Sequence, residues 1–167
     1  PNLNISASSI TGALTVGTVL TFNGTVRNQG TAASVLSQTR LRIDIDNNGS
    51  WDVNPANQST GALAVNGTEN EVWSSAWTAT VGTHKYEICT DITATNTESN
   101  EADNCITQVF TVSTAPKPAI NLSPSSLTFN GTSGGATPAA QNLTIRNSGS
   151  VGTTLNWTWI RNPAAGA

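Results

Sequence analysis

Residues whose types and spacing suit metal binding lie together in Asp44–Asp52, which reads DIDNNGSWD. Carboxylate and amide oxygens stand at the first, third, fifth and ninth positions of this loop, on Asp44, Asp46, Asn48 and Asp52. Gly49 at the sixth position permits a sharp turn, and the Ser50 backbone carbonyl lies at the seventh. Oxygens in this order wrap around one hard cation in calcium-binding loops. The spacing therefore predicts a structural calcium site on these residues.

The match to a calcium loop ends at the twelfth position, where Pro55 stands in place of a bidentate glutamate. The flanking residues have the pattern of strands, so the loop is expected at the tip of a β-hairpin. A polar hairpin turn is the alternative, because Asn-Gly is a common turn pair. If calcium binds here, we expect the weak to moderate affinity of extracellular modules.

The two cysteines, Cys89 and Cys105, fall on the last two predicted strands of the first part of the chain. Each has the opposite parity to the apolar residues of its strand, such as Ile88 and Ile106. If these strands form a hairpin, both sulfurs point to the same outer face and a cross-strand disulfide is feasible. The alternative is two free thiols. A disulfide would indicate an oxidising compartment.

A second acidic stretch, DITATNTESNEADN at 91–104, joins the two cysteine strands. Its carboxylates at Glu98, Glu101 and Asp103 follow no fixed ligand spacing. Asn and Asp side chains in such stretches more often cap the backbone of their own loop. A solvated, self-capped loop is therefore the favoured interpretation, and a metal site is the alternative.

Composition and motifs exclude several classes of function. The formal net charge is −3 and no basic stripe exists, so nucleic acid is not an expected partner. No apolar run reaches membrane-spanning length, so no membrane insertion is expected. A GxSxG pattern occurs at Gly131–Gly135, but its chemistry needs a strand–elbow–helix and a histidine partner, and the single histidine is His84. We therefore expect no enzymatic activity.

The elements that would position these residues are predicted to be strands. The clearest runs from Val35 to Ile45, where apolar and charged residues alternate. Others are predicted at Leu3–Ile5, Val19–Arg27, Trp51–Val53, Leu63–Val65, Trp73–Trp77, His84–Ile92 and Ile106–Val112. About seven short strands between turn signals indicate an all-β, immunoglobulin-like sandwich over residues 1–112.

The rest of the chain is predicted to begin a second sandwich after a Pro-containing linker at 113–119. Residues 120–167 carry apolar pairs at Ile120/Leu122, Leu127/Phe129 and Leu143/Ile145, and a last strand with Leu155, Trp157 and Trp159. So short a segment buries too little apolar surface to be stable alone. The missing strands were cut off, are disordered, or come from a neighbour by strand addition. With no visible initiator Met or signal peptide, we expect an excised or mature piece of a longer protein.

Residues 1–112 resemble the CARDB family, a cell-adhesion-related module of bacteria and archaea. The resemblance rests on these stretches: PNL at 1–3, TVRNQGT at 25–31, GTH at 82–84, CTD at 89–91 and ESNEADNC at 98–105. It implies an immunoglobulin-like sandwich on a secreted or surface protein, usually one module among several. It implies an extracellular or cell-surface location, and it carries over no catalytic residue.

Residues 120–167 resemble, over a shorter stretch, the start of a BACON or abnormal-spindle-like module, through SPSSLTF at 123–129 and LTIRNSGS at 143–150. Two hypotheses of function follow. The first is a structural or adhesion module whose partners are copies of itself, or other surface modules, joined through sheet edges into a filament. The second is an accessory module of a secreted hydrolase that binds polysaccharide or spaces domains.

Aromatic and glycosylation signals bear on both hypotheses. Strand parity places the pairs Trp73/Trp77 and Trp157/Trp159 in the core, which leaves Trp51 at the hairpin tip as the candidate glycan contact. Nine Asn-x-Ser/Thr triplets are candidate glycosylation sites, at Asn4, Asn23, Asn48, Asn57, Asn66, Asn121, Asn130, Asn142 and Asn156.

Overall fold

The computed structural model describes residues 1–160, which form strands, turns and loops. The chain divides into two compact units, Pro1–Thr114 and Ala115–Ala167. Within the described residues, no helix is long and apolar enough to cross a membrane.

The first unit consists of two antiparallel sheets. Its strands are β1 (Leu3–Thr11), β2 (Val19–Asn28), β3 (Ser37–Asp44), β4 (Gln58–Thr60), β5 (Thr68–Thr78), β6 (Gly82–Cys89) and β7 (Cys105–Val112). One sheet has the order β1-β2-β5 and the other the order β4-β3-β6-β7. This arrangement confirms the predicted all-β sandwich.

The core lies between the two sheets. Phe22 on β2 is fully buried and packs edge-on against Tyr86 of the opposite sheet, with ring centroids 5.2 Å apart. Phe110 on β7 lies 6.0 Å from the same Phe22 ring. Aliphatic residues with the same inward parity, such as Leu41, surround the aromatic group. Alternation of buried and exposed residues along β2 and β3 therefore produces one continuous apolar layer.

A buried polar chain also links the sheets. The Thr60 hydroxyl on β4 lies 2.7 Å from Glu71 Oε1 on β5 and 2.7 Å from the Thr39 hydroxyl on β3. Burial raises the pKa of the Glu71 carboxyl above its ordinary value, and the nearby Glu69 charge adds to this rise. These hydrogen bonds satisfy groups that would otherwise be buried without partners.

Strand predictions in the first unit fail at Leu63–Val65 and at Val35. Leu63–Val65 is not a strand, and the short strand that pairs with β3 is Gln58–Thr60. Leu63 is nevertheless buried because it reaches the core from a loop. Val35 is exposed, since β3 begins two residues later at Ser37. A run of apolar residues in the sequence therefore does not distinguish a strand from a loop whose side chains cover the core.

The second unit contains one antiparallel pair, β8 (Ile120–Ser123) with β9 (Thr144–Asn147). Leu122 faces Ile145 in the register of this pair. No residue between 115 and 160 is buried. An isolated two-stranded sheet is marginally stable at best in water.

Two further predictions fail in this unit. Residues 155–159 do not form the predicted last strand. Trp157 and Trp159 are 50% and 75% exposed, so they are not core residues here. Their alternation has no second sheet to pack against within residues 115–160. The predicted partial sandwich is therefore present as one strand pair.

Candidate metal centre

The acidic loop lies at the end of β3, as its sequence predicts. β3 ends at Asp44, and the chain returns at Val53, which exchanges two backbone hydrogen bonds with Ile43 of 2.9 and 3.0 Å. The residues between them form the tip of a hairpin. Asn47 and Gly49 adopt positive φ angles of 56° and 96°. Because glycine takes such angles without strain, it suits the sharp turn at Gly49.

The loop brings three of the predicted ligands together. Carboxylate oxygens of Asp44, Asp46 and Asp52 all lie within 4.8 Å of one another. Asp44 is buried, whereas Asp46 and Asp52 are exposed. Asn48 and Ser50 lie on the same tip and are exposed. This is an oxygen-only donor set, which hard cations such as calcium prefer.

Backbone amides stabilise the charged form of Asp44. Its Oδ2 accepts from the Gly49 N–H at 2.8 Å and its Oδ1 from the Asn48 N–H at 3.1 Å. The Lys85 ammonium lies 3.0 Å from Oδ2. Burial acts to raise the pKa of Asp44, but the Gly49 bond, Lys85 and the Asn48 bond together lower it to about 2. Asp44 is therefore a carboxylate at neutral pH.

Local hydrogen bonds hold the remaining loop oxygens. Asp46 Oδ2 accepts from Asn48 Nδ2 at 2.7 Å, and Asn48 Oδ1 accepts from the Ser50 N–H at 2.7 Å. Asp52 Oδ2 accepts from the Ile45 N–H at 2.9 Å. Each carboxylate keeps further lone pairs for a cation. The donor set fits calcium, with Lys85 as a neighbouring charge that weakens binding.

Two aromatic side chains that were not proposed as ligands, His84 on β6 and Trp51 within the loop, make contacts at this hairpin tip. His84 is buried, and its Nδ1 lies 2.6 Å from the Ile45 carbonyl, next to the first loop aspartate. Its Nε2 lies 2.8 Å from the Thr80 carbonyl. The Arg42 guanidinium carbon and the Lys85 ammonium lie over the Trp51 ring, 4.7 and 5.2 Å from its centroid. The alternating pattern of β6 showed His84 as a strand residue but not its two carbonyl partners.

The cysteines lie opposite each other on β6 and β7. Cys89 and Cys105 are register partners, their Cα atoms are 4.1 Å apart, and their sulfurs form a disulfide. Cys89 is buried and Cys105 exposed. The bond closes the base of the long acidic loop at 90–104.

The acidic loop at 90–104 is folded against the N-terminal segment. The Ser99 N–H donates to the Pro1 carbonyl at 3.2 Å, and the Asn100 N–H donates to Asn2 Oδ1 at 3.0 Å. Glu98 accepts from the Leu3 N–H. Burial of Glu98, together with the charges of Asp91 and Glu101, raises its pKa to about 7 despite this hydrogen bond. The loop therefore caps its own backbone, as its sequence predicts, and it also packs against the N-terminal segment.

Residues 1–108 match the family model for CARDB, which is more than half of the chain. The chain belongs to the CARDB family. CARDB domains are non-catalytic, cell-surface, adhesion-related domains. No curated protein matches this CARDB chain.

Solved structures of CARDB-like fold resemble the first unit. The CARDB domain of a Pyrococcus furiosus protein, in complex with di-metal ions, is 21% identical with a TM-score of 0.53, covering 69% of this chain and 96% of that one. A solution structure of the same domain is 22% identical with a TM-score of 0.51, covering 68% and 94%. A domain of a Methanosarcina acetivorans protein named for the cell surface is 21% identical with a TM-score of 0.52, covering 67% and 91%. At 21–22% identity, these structural similarities establish the fold of the first unit and nothing about its ligands.

The candidate glycosylation sites of this CARDB chain differ in exposure. Asn4 and Asn23 are half-buried within strands β1 and β2, and Asn23 Nδ2 donates to Thr11 at 3.1 Å. The exposed sites are Asn48, Asn57, Asn66, Asn121, Asn130, Asn142 and Asn156. The exposed group is the more accessible to modification.

The GxSxG pattern of Gly131–Gly135 lies in a turn and loop rather than between a strand and a helix. Gly135 N–H closes the turn by donating to the Thr132 carbonyl at 3.0 Å. This local structure differs from the elbow that exposes a nucleophilic serine.

Proposed function

We propose that this CARDB chain is a non-enzymatic, extracellular structural and adhesion module of a bacterial or archaeal surface protein, assembled through β-strand addition. The observation that carries the proposal is the second unit, where the described residues form a two-stranded sheet with no buried residue. Unpaired strand edges are templates for pairing with another chain.

Apolar side chains beside these edges support the proposal. The large exposed apolar residues of the second unit are Ile120, Leu122, Phe129, Leu143, Val151, Trp157, Trp159 and Ile160. So many on a short segment exceed the scattered exposure that is normal for a surface. A strand from a second copy would supply backbone partners for β8 or β9 and would cover part of this surface.

The N-terminal segment is a poor donor of a strand for this assembly. Within Pro1–Ser9, Leu3 and Ile5 are buried in the first unit and pair with β2. Donating this strand would uncover the core of its own sandwich. We therefore assign the pairing to the edges of β8 and β9.

Charge at the strand pair should prevent this assembly. Leu122→Lys places an ammonium on the apolar side of β8, where a charge opposes edge pairing. Light scattering over a concentration series is expected to show oligomers for the unmodified chain and monomers for Leu122→Lys. Val81→Lys is the matched control, since Val81 is an exposed apolar residue of the first unit. A monomer at every concentration of the unmodified chain would refute the proposal.

We also propose that the Asp44–Asp52 loop holds calcium. The supporting observations are the oxygens of Asp44, Asp46 and Asp52 within 4.8 Å of one another, and a similar CARDB fold in complex with di-metal ions. A bound ion would hold the hairpin tip, which includes Trp51, in one conformation. Extracellular modules typically bind calcium with dissociation constants of about 0.1–1 mM.

Terbium, a luminescent substitute for calcium, reports on this loop through the tryptophan it contains. Terbium emission excited through Trp51 is expected for the unmodified chain, with displacement by excess calcium. Asp46→Asn should weaken binding at least about tenfold, since even outer-shell changes cost that much. Glu69→Gln, an acidic change elsewhere, should leave binding unaltered. Emission that is unchanged in Asp46→Asn would exclude calcium from this loop.

The accessory-module alternative is favoured by one observation. The cations of Arg42 and Lys85 lie over the half-buried Trp51 ring, and an aromatic ring with two neighbouring cations suits a sugar that carries a carboxylate. Retention of a monomeric chain on an acidic polysaccharide column, lost in Trp51→Ala, would favour this function over assembly.

A further inference from the structure

The contact between the acidic loop and the N-terminal segment contains oxygens that have no donor. Glu98 Oε1, Asp103 Oδ1 and Asn104 Oδ1 are buried and make no hydrogen bond. Buried polar atoms of native proteins are nearly always paired. Three such oxygens within seven consecutive residues, all acceptors, indicate a missing electropositive partner.

Asn104 connects these oxygens to the carboxylates around them. Its side chain is 8% exposed, and its Nδ2 lies 3.4 Å from Glu101 Oε2. Glu101 Oε1 in turn accepts from the Glu98 N–H at 3.1 Å. The Asn104 amide therefore lies within the acidic cluster, with its carbonyl oxygen unsatisfied.

The other oxygens of the cluster are already engaged and hold the loop in shape. Asp103 Oδ2 accepts from Asn2 Nδ2 at 3.1 Å and from Gln29 Nε2 at 2.7 Å. Asp91 accepts from the amides of Thr95 and Asn96 at 3.0 and 2.9 Å. These bonds leave Oδ1 of Asp103 available while the loop is fixed around it.

No basic side chain neutralises the cluster in the part of the chain that is described. The ion pairs found there join Arg40 and Arg42 to Glu87, and Lys85 to Asp44. The carboxylates of Asp91, Glu98, Glu101 and Asp103 make none of them. Carboxylates gathered at one contact without a cation repel one another.

We propose that Glu98, Asp103 and Asn104 bind a divalent cation, of which calcium is the class best suited to carboxylate and amide oxygens. This site is separate from the Asp44–Asp52 loop, which lies on the β3 hairpin. Two of the ligands, Glu98 and Asp103, also accept hydrogen bonds from Leu3 and Asn2, so the ion holds the loop in the shape that contacts Pro1–Leu3. Binding therefore stabilises the contact between β1 and the β6–β7 loop.

Calorimetric titration of calcium chloride into the full chain tests the proposal, with the first loop disabled by Asp46→Asn and Asp52→Asn. This variant is expected to retain one calcium site. Adding Asp103→Asn should weaken that site at least about tenfold, since removing a ligand costs no less than an outer-shell change. Glu69→Gln is the matched control: it removes a carboxylate on β5 whose hydrogen bond goes to the Gly61 N–H and to no residue of 98–104, so the affinity should be unaltered.

A second measurement needs no substitution. Calcium added to the unmodified chain should shift the NMR resonances of Glu98, Asp103 and Asn104, separately from those of residues 44–52. Absence of any calcium-dependent shift at 98–104 would overturn the proposal, as would equal affinity with and without Asp103→Asn. These outcomes do not depend on whether the second unit assembles.

Discussion

Phe22→Ala is expected to lower the free energy of unfolding of the first unit by about 3–5 kcal/mol, the range for truncating a buried aromatic residue. Phe22 is fully buried, and its ring contacts Tyr86 and Phe110 of the opposite sheet at 5.2 and 6.0 Å between centroids. Removing it leaves a cavity where the two sheets meet. Urea denaturation followed by tryptophan fluorescence measures the change.

Val19→Ala is the control for this prediction because Val19 lies on the same strand but is 52% exposed. Its effect should stay within about 1 kcal/mol, the span of β-propensity. An equal decrease in the free energy of unfolding for the two variants would mean that the face of β2 carrying Phe22 does not form the core of the sandwich.

Replacing both cysteines by alanine is expected to lower the free energy of unfolding by roughly 3 kcal/mol on the chain-entropy model. The disulfide joins residues separated by 16 positions, so its loss frees the acidic loop in the unfolded chain. Thermal unfolding of the variant and of the unmodified chain, each with and without reductant, measures the effect. We expect reductant to shift only the unmodified chain.

A melting temperature that is insensitive both to reductant and to the substitutions would contradict the prediction. The reductant arm matters because the buried position of Cys89 gives alanine a small packing effect of its own. Agreement between reduction and substitution separates the covalent bond from that packing.

Strand periodicity predicted the sandwich because inward residues of one parity repeat along long strands. Leu41 and Ile43 alternate with Arg40 and Arg42 on β3, and all four lie on the expected faces. The same rule failed at Leu63, where a loop residue covers the core without pairing. Short apolar runs carry no information on whether a partner strand exists, and this also explains the error at Trp157.

The candidate site was predictable where ligands are close in sequence. The spacing of Asp44, Asp46 and Asp52 indicated oxygens that the structure brings within 4.8 Å. The unpartnered oxygen of Asp103 was not predictable, because the position of this side chain depends on Asn2, about a hundred positions away. Contacts of that range follow from the sheet register and not from local pattern.

Amide hydrogen exchange at β8 and β9 over a range of protein concentrations tests most directly whether the second unit takes its missing partners from another chain. We predict that protection at Ile120–Ser123 and Thr144–Asn147 rises with concentration, while protection in β2 remains constant. Exchange at these strands that is independent of concentration, whether fast or slow throughout, would contradict assembly through their edges.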